Sequence, residues 1–351
     1  MSTQPQGSFT LTAEQLQADA AYWQNYAGDQ RDNSIRVRTF NQTIQEAKEQ
    51  PVPQMLFDKF WFEGELCILF SDSNAGKSIL ATQIANCICS GTSMQPLAME
   101  GNKQPVLYCD FELTAKQVEA RYSQDWDAHY QFADNLFRAD LNPDAELPEG
   151  FDYEEYIHQG IETAIIDTGA RVIIIDNITY IASENEQAKF ALPLMKQLKA
   201  LKTQYKLSIL ALAHTPKRDK SKPITSNDLQ GSRMLMNFCD SSFAIGTSNE
   251  HPDRRYLKQI KQRNTAQVYG EANVCVFNII KPHNFLQYTF VGYGDERAHL
   301  KDAKEKEKDE FTERAIELKQ QGLSLREIAA EMGITHTRVN RMLKAASAGD
   351  R

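Results

Sequence analysis

Four stretches of this chain are apolar almost without interruption: LCILF (66–70), VLYCD (106–110), RVIIID (171–176) and LSILALA (207–213). A strand that reads this way has no polar face to give to water, so both faces of its sheet must be covered. Helical patterns separate the runs, and strands alternating with helices make a mostly parallel sheet. The fold class expected is therefore α/β, a mostly parallel sheet with helices on both faces. Four more short runs, SSFAIGT, RYLKQIK, VCVFNII and LQYTFVGY, follow at close spacing. They are read as added strands, some antiparallel, that extend the sheet.

The first apolar run leads straight into FSDSNAGKSIL (70–80), with an amphipathic helical pattern behind it. Strand, loop and helix in this order are the setting of a phosphate-binding loop, G-x-x-x-x-G-K-[ST]. Ser73, Asn74, Ala75, Gly76, Lys77, Ser78 and Ile79 are the expected nucleotide-binding residues. Amide groups at the helix start point at phosphate and the helix dipole favours the anion. Lys77 would reach the β- and γ-phosphates of ATP, and Ser78 would hold Mg²⁺. Ser71, however, stands where the pattern has its first glycine. If that position needs an unfavourable backbone angle, the strain is roughly 1–3 kcal/mol. A micromolar ligand is bound by about 8 kcal/mol, so the strain would weaken binding without abolishing it.

The ends of the other apolar runs carry polar residues that suit the same chemistry. Asp176 closes VIIID and is placed to accept from Ser78 or from water on Mg²⁺. Glu112 lies just beyond VLYCD, where a carboxylate can activate the water that attacks the γ-phosphate, with Asp110 as the rival base. His214 ends the fourth run, at the carboxyl end of a strand where ligands bind in such sheets, and is read as a γ-phosphate sensor. The segment after it, TPKRDKSKPITSNDLQGSRM, contains Lys217, Arg218, Lys220 and Lys222, with Arg233 at its close. A loop of this composition suits the phosphates of a single strand, or is an ordinary solvated charge run. Lys261 and Arg263 are two residues apart, which on a strand puts them on one face. They are read as a pair acting on a neighbouring subunit's nucleotide, an arrangement worth about 10³–10⁵ in rate where it is known. The alternative is an edge-strand pair that prevents aggregation.

Taken in order, GKS, VLYCDFELT, RVIIIDNITYI, LAHTPKRD, LQGSRMLMNFCDSSFAIG and RYLKQIKQRN resemble the RecA-like ATPases of the RepA-type hexameric helicase family, over residues 50–295. The resemblance implies a RecA-like core, Mg²⁺-ATP hydrolysis between subunits, and a hexameric homo-oligomer around single-stranded DNA. It implies phosphate and metal contacts by Lys77 and Ser78, and a catalytic carboxylate at Glu112. Asp176 takes the Walker B position, His214 the sensor position, and Arg263 with Lys261 the trans-acting one. The function implied is a ring-forming motor in plasmid or mobile-element replication. An ATP-switched DNA-binding regulator or loader is the alternative, and an ATPase acting on protein partners is a third.

The remaining sequence sets the limits of that core. Residues 1–50 read as a helical segment, best in TAEQLQADAAYWQNYA with Thr12 as N-cap, and the prolines of QPVPQM mark a boundary. Residues 51–295 form the ATPase domain and residues 296–309 a charged linker. Residues 310–351 hold three short helical patterns divided by glycines, with Ser324 and Glu327 as a capping box. This end is similar to a helix-turn-helix whose third helix carries Arg338, Arg341 and Lys344 toward duplex DNA, or else is a small packing bundle. The six cysteines mostly sit in apolar runs with no C-x-x-C pair and are expected reduced in a cytoplasmic protein. No apolar run reaches the roughly 18 residues of a membrane span. A net charge of −8 argues against coating nucleic acid indiscriminately, though not against a local basic channel.

Overall fold

The computed structural model describes residues 35–147, 150, 152–178, 187–216, 218–229, 232–301 and 303–348. The expected helix around Thr12 lies outside them, as do Lys217, Gln230, Gly231 and the side chain of Arg233. The chain divides after Pro53 into two units. In the first, α1 (Phe40–Lys48) starts at Thr39, whose side chain and that of Gln42 cap each other's backbone amides.

The second unit opens with the short antiparallel strands β1 (Met55–Phe57) and β2 (Trp61–Phe62). Then β3 (Leu66–Ser71) leads through the phosphate loop into α2 (Lys77–Ser90). Next come β4 (Val106–Asp110) and α3 (Ala115–Arg121), then the two-residue strands β5 (Ser123–Gln124) and β6 (Ala128–His129). They are followed by β7 (Leu136–Ala139), α4 (Tyr153–Thr168) and β8 (Val172–Asp176). After these lie α5 (Gln187–Tyr205), β9 (Ser208–His214), α6 (Ser232–Phe238) and β10 (Ser241–Thr247). The last strands are β11 (Arg254–Lys261), β12 (Val274–Ile280) and β13 (Gln287–Gly294).

Among the described residues the main sheet has nine strands, in the order β13-β12-β11-β10-β3-β9-β8-β4-β7. From β10 to β7 every neighbour is parallel, while β11, β12 and β13 join antiparallel at one side. This is the α/β, RecA-like architecture expected from the apolar runs. Alternate residues of the central strands face opposite layers. Cys67, Leu69, Leu210, Leu212 and Ile174 pack with Leu80, Ile84 and Ile88 of α2. Ile68, Phe70, Ala211, Ala213 and Ile173 pack with Ile161 and Ile165 of α4 and Leu198 of α5. All six cysteines are buried and unpaired. No helix among the described residues is long and apolar enough to cross a membrane.

Two features of this unit were not read from the sequence. The edge strand β7 was not read from the sequence, because LFRA is only four residues long, carries Arg138 and is not fully buried at any position. The charged segment after Gly294 starts in packed structure. Glu296 is fully buried, in a short 3-10 turn (Glu296–His299), where Lys258 of β11 meets it at 2.5 Å.

The C-terminal helices are α7 (Ala303–Gln320), α8 (Leu325–Glu331) and α9 (His336–Ala348). Ser324 and Glu327 do form the capping box, and Gly333 makes the turn before α9 at φ 63°. Ala315, Leu318, Ile328, Ala329 and Val339 close a small core of their own.

Candidate functional site

The parallel strands end at a common edge, and register fixes what lies there. Ser71 pairs with His214 across β3 and β9, and Asp110 pairs with Asp176 across β4 and β8. Ser71 is in extended strand backbone, so a glycine's freedom is not required at that position. The left-handed angles fall further along the loop, at Asn74 (φ 60°) and Gly76 (φ 98°). At Gly76 a Cβ would stand 2.7 Å from Tyr288 Oη and 2.8 Å from Ile279 Cδ1. Space and backbone both demand glycine there. The loop is also held from behind: Tyr288 Oη and Arg255 Nε donate to the Ala75 carbonyl at 2.9 and 3.0 Å.

No side chain caps the start of α2, which leaves its first amides to an anion. Ser73 and Asn74 are exposed on the loop, Ala75 is buried and Ile79 half-buried. Lys77 is buried and turned back on the strand end. Its Nζ donates to the Ser71 carbonyl and hydroxyl, both at 3.3 Å, to the Asp72 carbonyl at 3.4 Å, and faces His214 Nδ1 at 3.1 Å. Burial pulls its pKa down, against the carboxylates of Asp176, Glu112 and Asp72.

Asp176 is fully buried. Tyr108 Oη donates to its Oδ2 at 2.8 Å, whereas Oδ1 is buried with no hydrogen-bond partner. Burial pushes this carboxyl up to about 6, opposed by the hydroxyls of Ser78 and Tyr108. An orphaned carboxylate oxygen close to a serine at a helix start fits Mg²⁺, which takes hard oxygen donors and completes its shell with phosphate and water. Among the described residues no group of three or more His, Cys, Asp or Glu is placed to hold a metal. The oxygen pair of Ser78 and Asp176 is therefore the metal-binding candidate.

Of the two rival bases, Asp110 is spent. Arg138 Nε reaches its Oδ2 at 3.0 Å, and its Oδ1 accepts the amides of Glu112 and Leu113 at 3.2 and 3.0 Å. Glu112 is half-exposed, with Oε1 3.3 Å from His214 Nε2 and accepting from the Asn177 amide. The hydrogen bond to His214 is the largest of several effects that hold its carboxyl below the usual range, so it is ionised at neutral pH. With the proton on Nε2, His214 accepts from Lys77 and donates to Glu112, which joins the ends of three strands. Asn177 lies 3.0 Å from the same nitrogen. Tyr108 and Asn177 were not singled out from sequence. The signals were there, a hydroxyl inside an apolar run and an amide directly after Asp176.

The cationic loop is tied to the phosphate loop. Thr215 Oγ1 donates to Asp72 Oδ1 at 2.5 Å, Arg218 Nε lies 3.9 Å from the same oxygen, and Lys220 Nζ lies 3.8 Å from Oδ2. The Arg218 side chain is only 6% exposed, so the structure does not offer it to an outside strand. Lys220 and Lys222 do face solvent.

The expectation for Lys261 and Arg263 is corrected in part. β11 ends at Lys261, so Arg263 is beyond the strand and the two-residue alternation does not connect them. Both nonetheless reach one place, the end of α6. Lys261 Nζ donates to the carbonyls of Met236 and Cys239, and Arg263 to Asp240 Oδ1 at 3.1 Å and the Asn237 carbonyl at 3.4 Å. Lys261 pairs with Ser242, which pairs with Ile68 near the start of β3. The two cations therefore lie at the opposite end of the sheet from their own chain's phosphate loop.

Residues 33–220, more than half of the chain, match the family model described as AAA domain. No curated protein matches the chain.

Proposed function

The chain belongs to the AAA domain family, a P-loop ATPase of the RecA-like and helicase type, and from that premise we propose that it is a ring-forming motor of the RepA-type helicase class, driven along single-stranded DNA by ATP hydrolysis. The observation that carries this reading is the unbroken line of contacts from Glu112 through His214 to Lys77, continued from the phosphate loop through Asp72 to the cationic loop.

In this mechanism Lys77 leaves His214 and the Asp72 carbonyl to meet the β- and γ-phosphates. Ser78 and Asp176 would hold Mg²⁺, which would supply positive charge against the phosphate oxygens. Glu112 accepts a proton from water as the water oxygen attacks the γ-phosphorus. The bond to the bridging oxygen breaks, giving ADP and phosphate. His214 then lacks its phosphate-side contact and returns to Lys77. Asp72 passes the rearrangement to Lys220 and Lys222, which hold a strand in the channel of a homo-oligomer, expected to be a hexamer. Arg263 and Lys261 serve the neighbour's nucleotide, since they stand too far along the sheet to serve their own.

Glu112→Gln should retain ATP binding and lose turnover by roughly 10²–10⁴-fold. Turnover at the parent rate would remove Glu112 from this role. Arg263→Ala rings should be inactive but regain activity when mixed with Glu112→Gln subunits, because each supplies what the other lacks. Mass measurement with a non-hydrolysable ATP analogue tests the ring itself. The second reading, an ATP-switched regulator or loader, is favoured by the C-terminal three-helix unit. Turnover stimulated by single-stranded DNA with unwinding of a forked duplex supports the motor. Turnover without unwinding, with tight binding to a duplex site, supports the second reading.

A further inference from the structure

The geometry of the C-terminal unit points to a duplex-DNA site in which α9 lies in the major groove, with Thr337, Asn340 and Arg341 reading base edges and Arg338 and Lys344 positioning on phosphates. This deepens the second reading, and names its partner by shape and charge.

One face of α9 is exposed. Val339 is buried in the small core, Leu343 is half-buried against it, and Met342 is buried beside them in sequence. At 3.6 residues per turn, the line opposite them is Thr337, Arg341 and Lys344, all exposed, with Asn340 and Arg338 on its two flanks. That face has the right length for a groove and contains hydroxyl, amide, guanidinium and ammonium groups.

Charge then selects the occupant. The protein as a whole carries −8, yet HTRVNRMLKAASA has no acid. Three acids of the preceding helices are engaged nearby. Arg314 bonds Glu331 at 2.9 Å and Glu317 at 3.3 Å, and Glu327 caps Ser324. The guanidinium of Arg338 stands over the Phe311 ring at 5.7 Å, in an exposed residue. An exposed basic face within an acidic protein is complementary to a polyanion.

Shape selects duplex over single strand. Helix α8, residues 332–335 with the left-handed Gly333, and α9 form two helices joined by a tight turn, the arrangement that places its second helix in the major groove with that helix's N-terminal residues on base edges. Bases of a single strand would call for aromatic platforms. The outer face of α9 has none. Arginine pairs with guanine O6 and N7, asparagine with adenine N6 and N7, and the threonine methyl meets thymine. Lys344, two turns in, is placed for phosphate.

The test uses the full-length protein without nucleotide, so that failure here leaves the ATP-site reading standing. Random 25-base-pair duplexes are selected on the protein, and binding to the enriched and a scrambled duplex is measured by fluorescence anisotropy over a salt series. The expected result is an enriched motif of a few base pairs. Arg341→Ala should weaken the enriched duplex by roughly 10–100-fold and lose the preference at one position. Lys344→Ala should weaken both duplexes alike and lower the salt slope by about one. Both positions are exposed, and circular dichroism checks that the helices persist. No enrichment, or Arg341→Ala with its preference intact, overturns the proposal. A change in oligomer mass in Arg341→Ala with no duplex bound by the parent would instead make α9 a subunit contact.

Discussion

The two parts of the main sheet divide the work. The middle of its parallel part, β3, β9, β8 and β4, is almost continuously apolar and gathers polar groups where strands stop, at Ser71, His214, Asp176 and the Asp110–Glu112 turn. Its antiparallel part, β11 to β13, places none of its described side chains beside Lys77 or Asp176 of its own chain. Instead it fixes loop backbone. Tyr288 and Arg255 hold the Ala75 carbonyl, and Lys258 holds the Ile224 carbonyl at 2.8 Å, at the far end of the cationic loop. Glu296 receives the Ile224 amide at 2.7 Å. One part positions reactive groups by register, the other immobilises two loops by side chains reaching across. Changes to the carboxylate, imidazole and ammonium groups of the first should therefore alter rate with little change in stability, and changes in the second should alter stability and loop geometry together.

The largest stability effect should come from Lys258. Lys258→Met leaves the Glu296 carboxylate fully buried with only neutral donors, from Tyr256 Oη at 3.2 Å and the Ile224 amide. A broken buried pair costs about 3–5 kcal/mol. The shift is read from the urea midpoint. Lys258→Met with Glu296→Leu removes both charges and should recover most of the loss. Glu112→Gln, at the end of a parallel strand, should leave the midpoint close to the parent's. If Lys258→Met and Glu112→Gln shift the midpoint equally, the division of labour fails.

Gly76→Ala comes next, because it strikes where the two parts touch. A residue forced to φ 98° is strained by about 1–3 kcal/mol, and its Cβ would also press on Tyr288 Oη and Ile279 Cδ1. Nucleotide affinity should drop by more than about tenfold, as measured by titration calorimetry. Adding Tyr288→Phe removes the nearest contact and not the strain, so rescue should be partial. Full rescue would show that space, and not backbone angle, sets the requirement for glycine.

Asp72→Asn should act more weakly. Its ion pairs to Arg218 and Lys220 are 3.8 Å or longer, and partly exposed pairs of this kind contribute below about 1 kcal/mol. Stability should hardly move. Without nucleotide, affinity for oligo-dT should rise by about threefold as Lys220 is released, and the gain should fade at high salt. Weaker binding would mean that Asp72 shapes the cationic loop for the strand and does not restrain it.

Much of the parallel part was legible in the sequence, because burial on both faces leaves a continuous apolar run and a polar residue at its end is conspicuous. Glu112, Asp176 and His214 were found this way. Asp110 as rival base was resolved only by Arg138, whose strand was itself too short to notice. The antiparallel part was legible as strands but not as a support. Tyr288 lies 213 positions from Ala75, and Lys258 lies 38 from Glu296. Neither pairing leaves a local pattern. The burial of Arg218 was hidden for the same reason. A run of cations reads as solvated until Asp72 is found beside it.

The smallest effect expected is at Ser71, the departure from the phosphate-loop pattern. Ser71 is strand, not loop: it pairs with His214 and its backbone is extended, so serine occupies the position without strain. Its hydroxyl adds one 3.3 Å contact to Lys77 that glycine cannot make. Ser71→Gly should therefore restore the pattern and gain nothing. The unfolded chain becomes more flexible, which lowers stability by roughly 0.5–1 kcal/mol. Nucleotide affinity should stay within about threefold of the parent, since 0.6 kcal/mol separates such values. If calorimetry instead shows affinity rising by more than about thirtyfold, the loop must adopt a left-handed angle at residue 71 when phosphate is bound. The glycine of the pattern would then serve the bound state, and the antiparallel wall behind Gly76 would not be the only restraint on the loop.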